Sequence, residues 1–306
     1  MSLTKKCQIT SLIFFGVAQV VAEGQLFVTS FSDGKVAEYS LSGQLMNSSF
    51  ISGLNEPEYL ALDTAGNIYV SNWGNSTVGK YTFTGATLNA ALFQTVSSGF
   101  QGLSGIAVDS SGNIFVSQMM GFANIAQYTT SGVKVNDPLV YLSGGPRGPA
   151  LDGLGNMYVP LQDAGIVGKY TTSGSIVNAS LIGSLINPSS VVVDGNGHLF
   201  VASFAGTIGE YNLDGTPVNS SLITGLSGPS SLALDGNGHL FVVEEYIGRI
   251  GEYTTSGSIV NASLITDVNN PWGVLVEVPE PFCFPLMLVA LTLLRFAPTA
   301  KHTSRL

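Results

Sequence analysis

The sequence predicts an all-β fold, a six-bladed β-propeller of four-stranded antiparallel blades, closed by pairing of the C-terminal strand (271–277) with the N-terminal blade. Three observations predict it. A glycine followed by a strand-like run recurs six times: "GQLFVTS" at 24, "GNIYVSN" at 66, "GNIFVSQ" at 112, "GNMYVPL" at 155, "GHLFVAS" at 197 and "GHLFVVE" at 238. The glycines are 42, 46, 43, 42 and 41 residues apart, the period of a four-stranded blade. The composition, with 37 glycines, 45% hydrophobic and 10% charged residues, suits short strands joined by tight turns and does not suit disorder. The repeats also fail to divide into whole units. The first begins at a second strand, "QLFVTS", and the last ends on an orphan first strand, "PWGVLVE" (271–277). Pairing those two closes the ring and leaves no open sheet edge.

Taken in order, residues 1–22 are expected to be a signal peptide. Lys5 and Lys6 precede an apolar stretch, and Val20 and Ala22 fit the −3 and −1 positions of a signal-peptidase site. A short N-terminal anchor is the other reading. Cys7 falls in this segment and Cys283 in the tail, so the body between them has no cysteine and no disulfide or cysteine-held metal. The body, 23–277, is the propeller.

One unit, 188–224, shows its parts. "SSVVVD" is a first strand and its aspartate opens the turn "DGNG". "HLFVAS" follows, then a looser loop, "TIGEYN", the turn "LDG" and "PVNSSLIT". Asp-x-x-Gly suits a type I turn with glycine at positive φ. Asp63, Asp109, Asp152, Asp194 and Asp235 all open such turns; each offers a single carboxylate, where calcium needs a cluster. Tyr39, Tyr81, Tyr128, Tyr170, Tyr211 and Tyr253 hold one position per unit and are expected to pack between blades. From Glu23 to Glu280 stand all 20 acids and six bases, a balance of −14. Such a body is repelled by phosphate backbones, which excludes nucleic acid as a natural partner.

The pattern "P-x-x-[LV]-[AV]-[LV]-D-x-x-G-[NH]-[LI]-[YF]-V" followed by "[VI]-G-[EK]-Y" resembles the NHL repeat over about residues 24–277. The resemblance implies a six-bladed propeller and leaves function open, since such propellers include lyases, lactonases and pure binding modules.

Residues 278–306 resemble a PEP-CTERM sorting signal: Val278, Pro279, Glu280 and Pro281, an apolar run from Phe282 to Leu294, then Arg295, Lys301 and Arg305. That resemblance implies a Gram-negative bacterium and an exosortase as processing partner, after signal peptidase has acted near Ala22. It also implies an inner-membrane-anchored intermediate and delivery to the cell surface or the extracellular space. Prolines on both sides of Glu280 hold the backbone extended, as a protease cleft requires, and the bases favour the cytoplasmic side. The apolar run is short against the roughly 20 residues of a full span. An ordinary C-terminal anchor is the alternative.

Strand directions place the function. The Asp-x-x-Gly and Ser-Gly turns lie on one face and stay alike. The loops between blades, and between second and third strands, lie on the other face and vary. On this varied face the ligand-binding candidates are Glu58, Trp73, Arg147, Glu244, Glu245 and Trp272. They include both tryptophans of the chain, and Trp and Arg are the residue types that dominate binding hot spots. Tryptophan beside carboxylates also suits carbohydrate. No histidine stands there: His198 and His239 sit at the hairpin turns and His302 in the tail, which removes the usual general base. The expectation is an exported, non-catalytic binding or scaffold protein without cofactor, whose partner is an extracellular polysaccharide or a surface protein. The alternative is a secreted metal-dependent lactonase, hydrolase or lyase of the six-bladed type, with Glu58, Asn72, Asp163 and Glu244 holding one divalent cation such as calcium. Five Asn-x-Ser/Thr sites (Asn47, Asn75, Asn178, Asn219, Asn261) are either glycan acceptors or part of the outer-strand design.

Overall fold

A computed structural model describes residues 24–95, 102–119 and 123–278. Ala22, Pro279, Glu280 and Pro281, with the rest of the expected signal peptide and of the expected sorting signal beyond Val278, lie outside the described residues. Blade one contains β1 (Gln25–Ser30), β2 (Lys35–Ser40) and β3 (Leu45–Ser52). Blade two is β4 (Pro57–Leu62), β5 (Ile68–Asn72), β6 (Thr77–Tyr81) and β7 (Thr87–Gln94). Blade three is β8 (Leu103–Val108), β9 (Asn113–Gln118), β10 (Asn124–Thr129) and β11 (Lys134–Tyr141). Blade four is β12 (Ala150–Leu151), β13 (Asn156–Leu161), β14 (Ile166–Thr171) and β15 (Ile176–Ile182). Blade five is β16 (Pro188–Val193), β17 (His198–Ser203), β18 (Thr207–Asn212) and β19 (Pro217–Thr224). Blade six is β20 (Pro229–Leu234), β21 (His239–Glu244), β22 (Arg249–Thr254) and β23 (Ile259–Ile265), and β24 (Pro271–Glu277) returns to blade one. Every blade is a four-stranded antiparallel sheet, and blade one has the order β24-β1-β2-β3. The seam runs from Gln25↔Glu277 to Ser30↔Pro271, the closure that the orphan strands predict.

The repeated residues each have a local task. Asp63 Oδ1 accepts the amides of Ala65 and Asn67, at 2.9 and 2.8 Å. Asp109, Asp152, Asp194 and Asp235 do the same in their own turns. These carboxylates are consumed by the hairpins they close. The six recurring tyrosines are buried. Four of them lie over the glycine two residues earlier, Gly79, Gly168, Gly209 and Gly251, where a Cβ would stand 2.5–2.8 Å from the ring or its hydroxyl. That contact is why the motif reads Gly-x-Tyr.

On the outer strands Asn47, Asn178, Asn219 and Asn261 each accept the amide two residues on, at 3.1 Å. Asn89 makes the same bond to Ala91, also at 3.1 Å, although no Ser or Thr follows it. The asparagine therefore serves the bend at the outer-strand bulge, whether or not a sequon is present.

Candidate functional site

The varied face is built around the first turn of the six innermost strands. Each starts at a bulge in blades one, two, three, five and six, where the register against the second strand slips. A bulge turns a side chain out of the normal alternation and re-aims it. The re-aimed position is Trp272, Glu58, Ser104, Ser189 and Ser230 in those blades, and Arg147 stands at the same place in blade four. The serines show what folding alone asks of it. Ser104 Oγ donates to the Pro146 carbonyl at 2.5 Å, Ser189 Oγ to Pro229 at 2.6 Å and Ser230 Oγ to Trp272 at 2.8 Å, which ties each blade to the next. Three blades give up that tie for Glu, Arg and Trp.

Blade four departs from the regular four-strand expectation. Only Ala150 and Leu151 form a continuous ladder with β13; Pro146 and Gly148 make isolated bridges, to Leu161 and Ser190. Pro146 and Pro149 have no N–H to give a ladder, so Arg147 rides on an irregular segment between them.

Arg147 is 7% exposed. Its Nε donates to Gln162 Oε1 at 2.6 Å, and its guanidinium carbon lies 5.3 Å from the Trp272 ring centre and 5.8 Å from that of Phe204. Phe31 and Phe204 each stand 6.0 Å from Trp272, and the Tyr246 ring stacks on Phe204 at 6.4 Å. Glu58, 3% exposed, brings Oε1 to 3.8 Å from Arg147 Nη1, beyond hydrogen-bonding range. Its Oε2 is buried with no hydrogen-bond partner. Burial pushes the Glu58 carboxyl up to about 8 against the pull of Arg147, with Glu245 and Glu56 adding repulsion. Burial likewise pushes Glu245 up to about 7, opposed by Arg147. Glu56 is held at φ 52°, where the corresponding pre-proline residues are Asn187, Gly228 and Asn270. A glutamate there costs backbone energy that Asn or Gly would not.

Directly below, Tyr59 plugs the axis. Its hydroxyl shares its one proton between the carbonyls of Ser189 at 2.9 Å and Ser230 at 3.2 Å, across the ring in blades five and six. Gly148 faces the ring at a distance that leaves no room for a Cβ. Burial raises the phenol further. A cavity of about 300 Å³ continues beneath, lined by Tyr59, Ile106, Pro149, Val193, Leu234 and Val276 among others.

Of the six binding candidates, Glu58, Arg147, Glu245 and Trp272 come together. Glu244 does not. Glu244 is fully buried, salt-bridged through Oε1 to Arg249 at 2.7 Å and accepting the Ser227 amide on Oε2 at 2.9 Å. Cross-strand pairing of Glu244 with Arg249 draws it into blade six. Trp73 is tied to the segment before Glu58 by its amide on the Glu56 carbonyl, and among the described residues its ring packs on none of the aromatic rings of the mouth. The alternative metal set is not gathered either. Asn72 bonds within the blade-two loops, Asp163 accepts the Gly145 amide, Glu244 is spent on Arg249, and among the described residues no group of three His, Cys, Asp or Glu is placed to hold a metal ion. Phe31, Gln162, Phe204 and Tyr246, which are not among the sequence-predicted candidates, join Glu58, Arg147, Glu245 and Trp272 at the mouth. Sequence reasoning missed Tyr59, although the residues aligned with it are Gly105, Gly148, Ser190, Ser231 and Gly273. One large residue among five small ones marks something that fills the axis.

No protein-family model matches the chain, and no curated protein matches it. Solved structures do. A protein of unknown function from Bacteroides caccae superposes with TM-score 0.65 at 20% identity, over 85% of this chain and 100% of that one. A nidogen/laminin complex gives 0.68 at 14%, over 83% and 98%. Virginiamycin B lyase from Staphylococcus aureus gives 0.62 at 16%, over 82% and 85%. At these identities the likeness establishes the propeller fold and nothing finer.

Proposed function

We propose that the chain is an exported, non-catalytic, NHL-like propeller that acts as a binding or scaffold protein at the cell surface or in extracellular matrix, and that its ligand seat is the mouth around Arg147, Glu58, Glu245 and Trp272. One observation carries the reading. At a repeat position where serine suffices to join blades, three blades carry Glu, Arg and Trp, and those three side chains converge on one spot. An Arg between aromatic faces beside carboxylates is the composition of a binding hot spot. The solved neighbours include both a binding propeller, in the nidogen/laminin complex, and lyases, so the fold accommodates this role. The sorting-signal pattern of 278–306 supports export, processing by an exosortase and a surface partner such as an extracellular polysaccharide.

Alanine variants of Arg147, Trp272 and Trp73, made singly, test the seat by binding to the host's exopolysaccharide or cells. Arg147→Ala and Trp272→Ala are expected to lose about 30-fold or more in affinity, the effect of a truncated hot spot of about 2 kcal/mol, while Trp73→Ala stays near the parent. Folded Arg147 and Trp272 variants that bind like the parent would remove this face from consideration. Export is tested separately by the intact mass of the protein recovered from its host. Loss of both ends, near Ala22 and near Pro279 to Pro281, is expected; released protein still carrying 282–306 contradicts the sorting proposal.

A further inference from the structure

We propose that the seat recognises a carboxylate, received by the Nη end of Arg147 together with the Oε2 edge of Glu58, so that the ligand is an acidic glycan. The inference rests on the mouth being the ligand seat and names the chemistry it takes.

Besides the Trp272 indole nitrogen, which is enclosed without a hydrogen-bond partner, two charged side chains at the mouth have unspent hydrogen-bonding capacity. Arg147 is fixed through Nε alone, by Gln162; among the described residues neither Nη atom has a hydrogen-bond acceptor, and the Glu58 oxygen stands off at 3.8 Å. A guanidinium this buried ordinarily has paired donors. Glu58 is the second: Oε2 has no partner and is enclosed, so it meets a ligand by a rotation of the Glu58 side chain toward the mouth. Buried polar atoms are so rarely unpaired that each exception asks for an explanation.

A single ligand group must satisfy both. An ammonium group cannot, because it would meet the Arg147 charge. A hydroxyl group can accept from Arg147 and donate to Glu58, but it takes only one of the two Nη donors and leaves the fork incomplete. A carboxylate accepts two parallel N–H bonds from the fork and a third bond from a protonated Glu58. The surroundings agree. Burial favours the proton on Glu58, and on Glu245 near neutrality, which leaves Arg147 as the main charge of the seat. Glu56 is the remaining carboxylate facing Glu58 and opposes an anion, and burial keeps the Tyr59 phenol neutral. The flat faces of Phe204, Trp272 and Tyr246 supply the stacking wall that a sugar ring uses. Tyr246 is 66% exposed and is the wall's open side.

The sign of the pH dependence follows. The acidic ligand binds while Glu58 holds its proton. Raising the pH through about 8 removes that donor and places a second negative charge beside the ligand, so affinity falls.

The experiment is titration calorimetry on the full-length chain with an oligogalacturonate, its methyl ester, a neutral maltooligosaccharide and an acidic peptide. The free acid is expected to bind about 10-fold or more tighter than the ester, the loss of one charged hydrogen-bonded contact. Arg147→Gln should abolish that preference. Tyr246→Ala, an exposed change that leaves the core intact, should weaken binding of the acid. Glu58→Gln keeps a donor at the same place, so it should lose the part of the decline centred near pH 8 and keep only the smaller part near pH 7 that Glu245 contributes. Equal binding of acid and ester, or no binding of the acid, overturns the carboxylate inference; the seat itself still stands if Tyr246→Ala weakens whichever sugar binds. Preference for the peptide overturns the glycan assignment. Binding of the acid that ignores both Arg147→Gln and Tyr246→Ala places the site elsewhere and overturns the seat as well.

Discussion

Deletion of residues 271–277 is expected to abolish cooperative folding of the propeller. β24 is the innermost strand of blade one, paired with β1 along its length, and it buries Val274 in the cluster that joins blades six and one. Without it β1 presents an open edge at the axis. Ser230 and Ser231 lose their partners on Trp272 and Val274, and Thr29 loses its bond to the Gly273 amide. A domain is stable by only about 5–15 kcal/mol, and removal of a whole core strand is of that order. Thermal unfolding followed by circular dichroism should show a broad, early transition or none. A truncated chain that melts within a few degrees of the parent would mean that the seam is not what closes the ring.

Tyr59→Ala is expected to be the most destabilising single substitution near the mouth. It removes a buried aromatic ring that packs on Gly148 and orphans the carbonyls of Ser189 and Ser230. Large-to-small changes of this kind cost about 3–5 kcal/mol, which for a domain of this size is roughly 10 °C or more of Tm at 2–4 °C per kcal/mol. Tyr59→Phe keeps the ring and loses the two hydrogen bonds, for about 1–2 kcal/mol. Differential scanning calorimetry of the two variants separates ring from hydroxyl. A Tyr59→Ala protein as stable as the parent would show that the axis does not depend on its plug.

The blades, their number and the seam were legible because each is a matter of period and strand count, and a repeat states its own period. The turn aspartates and the burial of the six tyrosines were legible for the same reason: identical residues at identical places have identical tasks. The site was legible only in part. The face of the candidate site came from strand direction, and Glu58, Arg147, Glu245 and Trp272 came from their residue types among its varied loops. Glu244 misled because its partner, Arg249, is set by cross-strand register, which sequence position alone does not convey. Tyr59 was overlooked because a tyrosine in a strand of a tyrosine-containing repeat looks ordinary until it is aligned with three glycines and two serines. Glu56, in a left-handed conformation that other blades fill with Asn or Gly, carries no sign of it in its own identity.

The central claim is that Trp272 and Arg147 form the seat where this propeller holds its ligand. Trp73→Phe leaves Trp272 as the sole tryptophan of the chain and so turns it into a reporter inside the seat. Titrating that variant with the extracellular polymer of the native host should change its fluorescence saturably, and adding Arg147→Gln should suppress the change. Polymer that co-sediments with the protein while Trp272 emission stays constant would contradict the account.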